Sequence, residues 1–155
     1  MLEIGQSAPD FTLPNQHGEQ VSLSAHDGFA VVYFFPRADT PGCTAEACSF
    51  RDKWESFAER DVSVFGISDD PVSDLDAFAA DYDLQFHLLS DTDGDVSASY
   101  GSYGEKNIYG NTIEGVFRNS FVVDPNGDVA LVYEGVDPQT HGQDILADLA
   151  ELENN

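Results

Sequence analysis

The sequence predicts an α/β fold in which a central β-sheet is flanked by helices. Two apolar runs, residues 29–35 and 62–67, consist largely of β-branched and aromatic residues, which is typical of strands buried on both faces. Amphipathic stretches alternate with these runs, and such alternation favours stacked layers of helices and sheet over a helical bundle or a β-sandwich. The chain has 155 residues and no evident linker, so we expect residues 1–155 to form a single domain.

Three shorter strands complete the predicted sheet. Residues 87–90 form one apolar run, and residues 121–123 and 129–133 form two more. The last two are joined by Asp-Pro-Asn-Gly-Asp at 124–128, whose residue types favour a tight turn. We therefore predict a β-hairpin at this point.

The first predicted helix begins beside Cys43. Phe50, Trp54 and Phe57 follow at spacings of four and three residues, which places them on one face of a continuous helix. A cysteine thus stands where a loop after a buried strand enters a helix. We take this arrangement as the candidate site.

Two further helices and one loop are predicted downstream. At Asp70-Pro71, the aspartate is expected to cap a helix whose first residue is the proline. A last helix is expected over residues 143–153, where leucines and an isoleucine share one side. Residues 101–115 are rich in Gly and Tyr without a clear period, so we predict a loop near the site.

The charge of the chain is extreme. It contains 29 acidic and 6 basic residues, and its formal net charge is −23. This charge disfavours nucleic acid or an anionic membrane as a partner. The carboxylates are spread along the chain and only two residues are lysine. Because a Debye length of about 3 Å at 1 M salt would screen their repulsion, we predict a halophilic source.

The predicted location is the cytoplasm. Residues 1–9 lack the basic and apolar regions of a signal peptide, and no segment reaches the roughly 20 apolar residues of a membrane span. The two cysteines, Cys43 and Cys48, argue against a framework of structural disulfides. Cysteines in a reducing compartment are more often catalytic or redox-active.

A helix start suits Cys43 for nucleophilic chemistry. Unsatisfied backbone N–H groups and the positive end of the helix dipole stabilise a thiolate, which is the reactive form. Lowering a thiol pKa from about 8.5 to about 6 raises the ionised fraction at pH 7 from about 3% to about 90%. Pro41-Gly42 lets the backbone turn sharply into the helix.

The residues around Cys43 resemble the peroxiredoxins. Pro36, Thr40 and Cys43 match the motif Pro-x-x-x-Thr-x-x-Cys, and Pro-Gly-Cys-Thr-x-Glu-Ala-Cys resembles the group of bacterioferritin comigratory protein and peroxiredoxin Q. The resemblance covers nearly the whole chain. Its downstream part comprises Glu105-Lys106, Tyr109-Gly110, Gly115 and the Arg118-x-x-Phe121-Val-Val-Asp124 segment.

This resemblance implies a fold and an activity. The fold would be thioredoxin-like, with a central mixed sheet and an N-terminal β-hairpin extension. Cys43 would attack hydrogen peroxide or an organic hydroperoxide, and Cys48 would resolve the resulting sulfenic acid as an intramolecular disulfide. Thioredoxin or a similar dithiol would then reduce the disulfide. The resemblance also favours a monomer and implies no cofactor.

Four further groups suit this chemistry. The hydroxyl of Thr40 can lie beside both sulfur and substrate, while Arg118 offers a permanent charge and several donors. The backbone N–H of Cys43 offers another donor, and the rigid ring of Pro36 would shield the sulfur.

A metal site is not expected, because the four histidines, His17, His26, His87 and His141, lack metal-ligand spacing.

The spacing of the two cysteines has a mechanical consequence. On an intact helix, Cα atoms five residues apart are roughly 8.6 Å from each other. A disulfide requires about 7 Å or less. We therefore predict that the reduced form keeps the two sulfurs apart and that the helix opens before Cys48 can resolve Cys43.

Each assignment has an alternative. Cys48 could be a packing residue, Thr40 could only cap the helix, and Arg118 could be a surface ion-pair partner. Glu46 could interact with the helix start or with an arginine, and the sequence leaves that choice open.

Two other classes of protein compete with a peroxidase. A thioredoxin-like disulfide oxidoreductase would share the fold, but it would need Cys-x-x-Cys, whereas four residues separate Cys43 from Cys48. A non-catalytic partner-binding or chaperone-like domain would make both cysteines incidental.

Overall fold

A computed structural model describes residues 2–25, 28–108, 110–134 and 137–153. Its centre is a five-stranded mixed sheet made of β3 Ala30–Phe34, β4 Ser63–Ser68, β5 His87–Ser90, β8 Asn119–Val123 and β9 Val129–Glu134. The order of these strands is β5-β4-β3-β8-β9. Strands β3, β4 and β5 are parallel, whereas β8 and β9 are antiparallel to their neighbours.

Helices cover both faces of the sheet, as predicted. They are α1 Pro41–Arg51, α2 Trp54–Glu59, α3 Val72–Tyr82, α4 Asp95–Ser99 and α5 His141–Glu153. None of the helices in the described ranges is long and apolar enough to cross a bilayer.

Strand β3 divides the apolar interior into two cores. Its successive side chains point to opposite faces, because side chains alternate along a strand. One core contains Val31, Tyr33 and Phe35 with residues of α1, α2, α3 and α5, and the other contains Ala30, Val32 and Phe34 with Phe11, Tyr100 and Phe121. The candidate nucleophile, Cys43, belongs to the first core.

The N-terminal β-hairpin extension is confirmed. It consists of β1 Thr12–Pro14 and β2 Gln20–Ser22, which pair antiparallel. Between them, Gln16 donates its side-chain N–H to the carbonyl of Phe86 at 3.0 Å and accepts the N–H of Leu88 at 3.0 Å. The hairpin thereby covers the edge of β5, whose exposed backbone groups would otherwise be open to pairing with another strand.

The first predicted helix is broken in two. The N–H of Asp52 still bonds the carbonyl of Cys48, but that of Lys53 bonds Phe50 only three residues back, and α2 begins at Trp54. This tighter turn ends α1. The predicted apolar face survives the break, since the rings of Phe50 and Phe57 lie 5.8 Å apart.

Two predicted helix starts are shifted. Pro71 has extended backbone angles and precedes α3, which begins at Val72. Asp70 does not cap this helix, because its carboxylate bonds the segment before α1 instead. The last helix begins at His141, two residues before the predicted start.

The prediction of a loop over residues 101–115 was wrong. Most of it forms a two-stranded antiparallel sheet of β6 Tyr103–Ile108 and β7 Asn111–Val116. Glycine and polar residues interrupt the alternation of apolar and polar side chains that is typical of a strand. Gly104, for example, faces Gly115 across the pair. A Cβ atom at Gly104 would lie 3.1 Å from the ring of Phe117, which is a tight contact. Tyr109 and, elsewhere, His26 lie outside the described residues.

Close packing joins α5 to α1. The N–H of Gly142 donates to the hydroxyl of Ser49 at 3.0 Å, and a Cβ atom at Gly142 would lie 2.5 Å from the Ser49 carbonyl oxygen. Only glycine permits this approach. It carries the adjacent His141 into the core beneath α1, where the side chain is 1% exposed.

Candidate active site

Cys43 lies in the first turn of α1, as predicted. Thr40 has extended backbone angles at the N-cap, and Pro41 occupies the first turn of the helix. A proline suits this position because its missing N–H would have no partner in the helix. The Cys43 side chain is 1% exposed and packs in the core that contains Phe50. The start of a helix carries unsatisfied backbone N–H groups, which favour a negatively charged group nearby.

Arg118 supplies the positive charge at the sulfur. It directly precedes β8, and its Nη2 donates to Cys43 Sγ at 3.3 Å. Its Nη1 donates to Glu46 Oε1 at 2.8 Å. The guanidinium passes close to Gly42 at the start of α1. A Cβ atom at this position would lie 3.0 Å from Nη2, so glycine leaves room for the arginine. The alternative of a surface ion pair is wrong, since this side chain is only 21% exposed.

Glu46 is the second residue to which Arg118 donates a hydrogen bond. It lies three residues after Cys43 on α1 and is fully buried. Its Oε2 has no hydrogen-bond partner among the residues that the structure describes, and His141 Nε2 lies 3.9 Å from it. Burial raises the pKa of Glu46 to about 7, although Arg118 opposes this shift. The open question about Glu46 is thereby answered, because it binds an arginine.

His141 is held neutral beside this carboxyl group. Its Nε2 lies 2.7 Å from the hydroxyl of Ser120 on β8. Burial lowers the pKa of His141 to about 4, with a smaller opposing effect from Asp144. The sequence did not point to His141, because its contact with Glu46 depends on how α5 packs against α1.

Thr40 is the N-cap residue of α1, but its side chain makes no capping hydrogen bond. Its hydroxyl donates to the carbonyl of Arg37 at 2.9 Å. Since a hydroxyl has one proton and two lone pairs, Thr40 in this state can only accept a hydrogen bond from a bound molecule. Pro36, the remaining predicted residue, is partly buried directly after Phe35 at the end of β3.

Asp70 anchors the segment that carries Pro36 and Thr40. Its carboxylate accepts hydrogen bonds from Arg37 Nη1 at 3.0 Å, from the Ala38 N–H at 2.7 Å and from the Ser68 hydroxyl at 2.8 Å. The aspartate is 1% exposed. Sequence analysis assigned it to a helix cap, and only the neighbouring ends of β3 and β4 reveal its role.

Cys48 lies on the same helix as Cys43. It is partly buried, both cysteines are free thiols, and α1 is continuous between them. An intact helix holds Cα atoms at this spacing roughly 8.6 Å apart, beyond the reach of a disulfide. The structure therefore represents a reduced form in which the two cysteines cannot bond.

No metal site accompanies these residues in the part of the chain that the structure describes. There, no group of three or more His, Cys, Asp or Glu side chains is placed to hold a metal ion. The chemistry available to the site is that of a buried sulfur at a helix start, contacted by an arginine and preceded by a threonine. Together with the α/β fold, these features define a thiol-dependent redox enzyme.

Comparison with known proteins identifies the family. Residues 4–132 match the model of the AhpC/TSA family. The chain is 42% identical over 149 residues to a putative peroxiredoxin bcp of Coxiella burnetii, covering 96% of this chain and 99% of the relative. It is also 42% identical over 151 residues to peroxiredoxin Bcp of Escherichia coli, covering 97% of each. The chain belongs to the AhpC/TSA family.

A solved structure supports the same assignment. Bacterioferritin comigratory protein of Xanthomonas campestris, studied for its alkyl peroxide reduction activity, has a TM-score of 0.90 and 31% identity, covering 97% of this chain and 98% of that chain. The fold is thioredoxin-like, and the protein is a peroxiredoxin of the Bcp and peroxiredoxin Q group. It is an enzyme that reduces peroxides, so the non-catalytic alternative and the disulfide oxidoreductase alternative are both wrong.

Proposed function

We propose that the Cys43 thiolate is the nucleophile of this peroxidase. The observation that carries the proposal is the contact of 3.3 Å between Arg118 Nη2 and Cys43 Sγ. Attack on the peroxide forms an S–O bond and breaks the O–O bond. The sulfur is oxidised to a sulfenic acid, and the departing alkoxide or hydroxide takes up a proton to become an alcohol or water.

Each neighbouring group has a distinct task in this step. Thr40 accepts the hydrogen bond of the peroxide hydroxyl, which orients the O–O bond for attack along the line of the sulfur. Arg118 and the Cys43 N–H stabilise the charge that develops on the oxygens. Pro36 shields the sulfur, since its ring offers no N–H to compete for the substrate. Asp70 keeps the segment of Pro36 and Thr40 in place.

Cys48 resolves the sulfenic acid after α1 opens. Its sulfur attacks the sulfur of Cys43, water leaves, and a disulfide closes within the chain. Support comes from the position of Cys48 as the only other cysteine in the sequence and from the continuous helix that separates the two residues. Thioredoxin or a similar dithiol protein then reduces the disulfide and restores both thiols.

Replacing Cys48 by serine tests this cycle. The Cys48→Ser protein is expected to consume one equivalent of peroxide at the rate of the unchanged protein, because Cys43 and its contacts remain. Thioredoxin-driven turnover should fall at least about tenfold, because no thiol in the chain can form the disulfide. A coupled peroxidase assay at high salt, with a single-turnover measurement beside it, gives both rates.

The matched control is Ser49→Ala, which changes the next residue of the same helix. It removes a hydroxyl that bonds Gly142 and the Glu46 carbonyl but leaves both cysteines, so turnover driven by thioredoxin should continue. Unchanged recycling in Cys48→Ser would contradict the assignment of the resolving thiol.

The setting proposed for this chemistry is the cytoplasm of a halophile. The net charge of −23 and the two lysines support it, because concentrated salt screens repulsion between carboxylates. We also propose that residues 1–155 act as a single domain and as a monomer, since resolution within one helix requires no second subunit. Both hydrogen peroxide and organic hydroperoxides are proposed substrates.

A further inference from the structure

Glu46 is buried in a site that holds one full positive charge. The titratable and charged groups facing it are Arg118 before β8, His141 on α5, Tyr33 on β3 and Cys43 on its own helix. His141 is neutral, because burial lowers its pKa to about 4. Tyr33 is also neutral, because burial raises its pKa well above the ordinary value. The guanidinium of Arg118 is therefore the one cation that interacts with both acidic groups, the thiol of Cys43 and the carboxyl group of Glu46.

The two carboxyl oxygens of Glu46 have unequal surroundings. Oε1 accepts a hydrogen bond from Arg118 at 2.8 Å. Oε2 is buried without a hydrogen-bond partner among the described residues, and His141 Nε2, which bonds the Ser120 hydroxyl, lies 3.9 Å from it. An ionised oxygen left unpaired in such a site carries a large desolvation cost, which protonation removes.

We propose that Glu46 carries a proton while α1 is folded and releases it to water when α1 opens to form the disulfide. This inference rests on the proposed resolution by Cys48. As a neutral acid, Glu46 orients Arg118 without cancelling its charge, so that the charge remains available to the Cys43 thiolate. Opening of the helix carries Glu46 away from Arg118 and into water, where a carboxyl group ionises.

The sign of the resulting pH dependence follows from the two pKa values. The pKa in the folded helix is about 7, above the ordinary value of 4.5. The protonated carboxyl group stabilises the folded helix fully below about pH 4.5, and this stabilisation is lost as the pH rises through about 7. Opening of α1, and with it resolution, therefore becomes easier toward neutral pH.

Counting protons during oxidation tests this inference. The reduced protein is mixed with one equivalent of hydrogen peroxide in weakly buffered solution with a pH indicator, and the disulfide yield is measured on the same sample. At pH 6, the unchanged protein should release about 0.9 proton more per disulfide than Glu46→Gln, and at pH 8.5 the difference should vanish. Glutamine suits the comparison because it keeps the shape of a neutral carboxyl group.

Glu55→Gln is the control, because Glu55 is an exposed carboxylate on α2. It should release the same number of protons as the unchanged protein. Equal release by the unchanged protein and Glu46→Gln, with full disulfide yield, would overturn the inference. Absence of any disulfide would overturn the proposed resolution instead.

A second measurement does not depend on disulfide formation. Amide hydrogen exchange of α1 is followed in the reduced Cys43→Ser protein, which has no sulfur at this position, and is corrected for the intrinsic effect of pH. The opening constant should rise about sevenfold between pH 5.5 and 6.5. Adding Glu46→Gln should abolish this rise, whereas an opening constant that is independent of pH in the single variant would overturn the inference.

Discussion

Replacement of Cys43 by serine is expected to reduce peroxide consumption to the rate of the uncatalysed reaction. The loss should be at least about 10⁴-fold, as is usual when the nucleophile of a covalent mechanism is removed. A serine hydroxyl at the same helix start remains protonated near neutral pH and cannot attack the peroxide bond. Single-turnover consumption of hydrogen peroxide by the reduced protein provides the measurement.

Cys48→Ser is the matched control for this result. It exchanges the same atom at the other cysteine and should leave the first oxidation intact. Peroxide consumption by Cys43→Ser at a rate close to that of the unchanged protein would place the nucleophile elsewhere and contradict the site.

Replacement of Arg118 by alanine is expected to slow oxidation of Cys43 about 10²- to 10³-fold, the usual cost of losing a donor that stabilises developing charge. The variant loses both the contact with Cys43 Sγ at 3.3 Å and the bond to Glu46 at 2.8 Å. Arg118→Lys should recover only part of the rate, because a single ammonium group cannot donate to Cys43 and Glu46 in the geometry of a planar guanidinium. Stopped-flow fluorescence of Trp54, the only tryptophan, can follow the reaction.

Lys53→Ala distinguishes a general effect of positive charge on the oxidation rate from the direct contact of Arg118 with sulfur. This variant removes an equal charge from the exposed residue that follows α1 and precedes α2, and its oxidation rate should match that of the unchanged protein at high salt. If Lys53→Ala and Arg118→Ala slowed the reaction equally, the contact with sulfur would not be the cause.

The central strands and the nucleophile could be predicted from local sequence. Residues 29–35 are apolar throughout because β3 lies between two layers of the core, and this produces a continuous apolar run. Cys43 was recognisable because strand, loop and helix start follow one another directly in the chain.

The supporting residues could not be predicted in the same way. Glu46, His141 and Asp70 act through contacts with residues 21 to 95 positions away, as in the bonds of Glu46 to Arg118 and of Asp70 to Ala38. A buried carboxylate has no local sequence pattern that distinguishes it among 29 acidic residues. Such roles depend on which strand ends and helix faces meet in the fold.

Two secondary-structure predictions failed for local reasons. The break between α1 and α2 falls at Asp52 and Lys53, where the apolar spacing from Phe50 to Trp54 continues across the turn. The hairpin of β6 and β7 lacks a strand period because glycines and polar residues interrupt it. In both cases hydrophobic spacing was a poor guide to the path of the backbone.

Peptide mapping by mass spectrometry after one equivalent of hydrogen peroxide tests the central claim most directly. The protein should rapidly lose 2 Da, the mass of the two thiol hydrogens, and the digest should contain a disulfide between Cys43 and Cys48. In Cys48→Ser, the same treatment should leave a sulfenic acid at Cys43 instead. Two thiols that remain reduced while peroxide is consumed, or oxidation that begins at Cys48, would contradict the account.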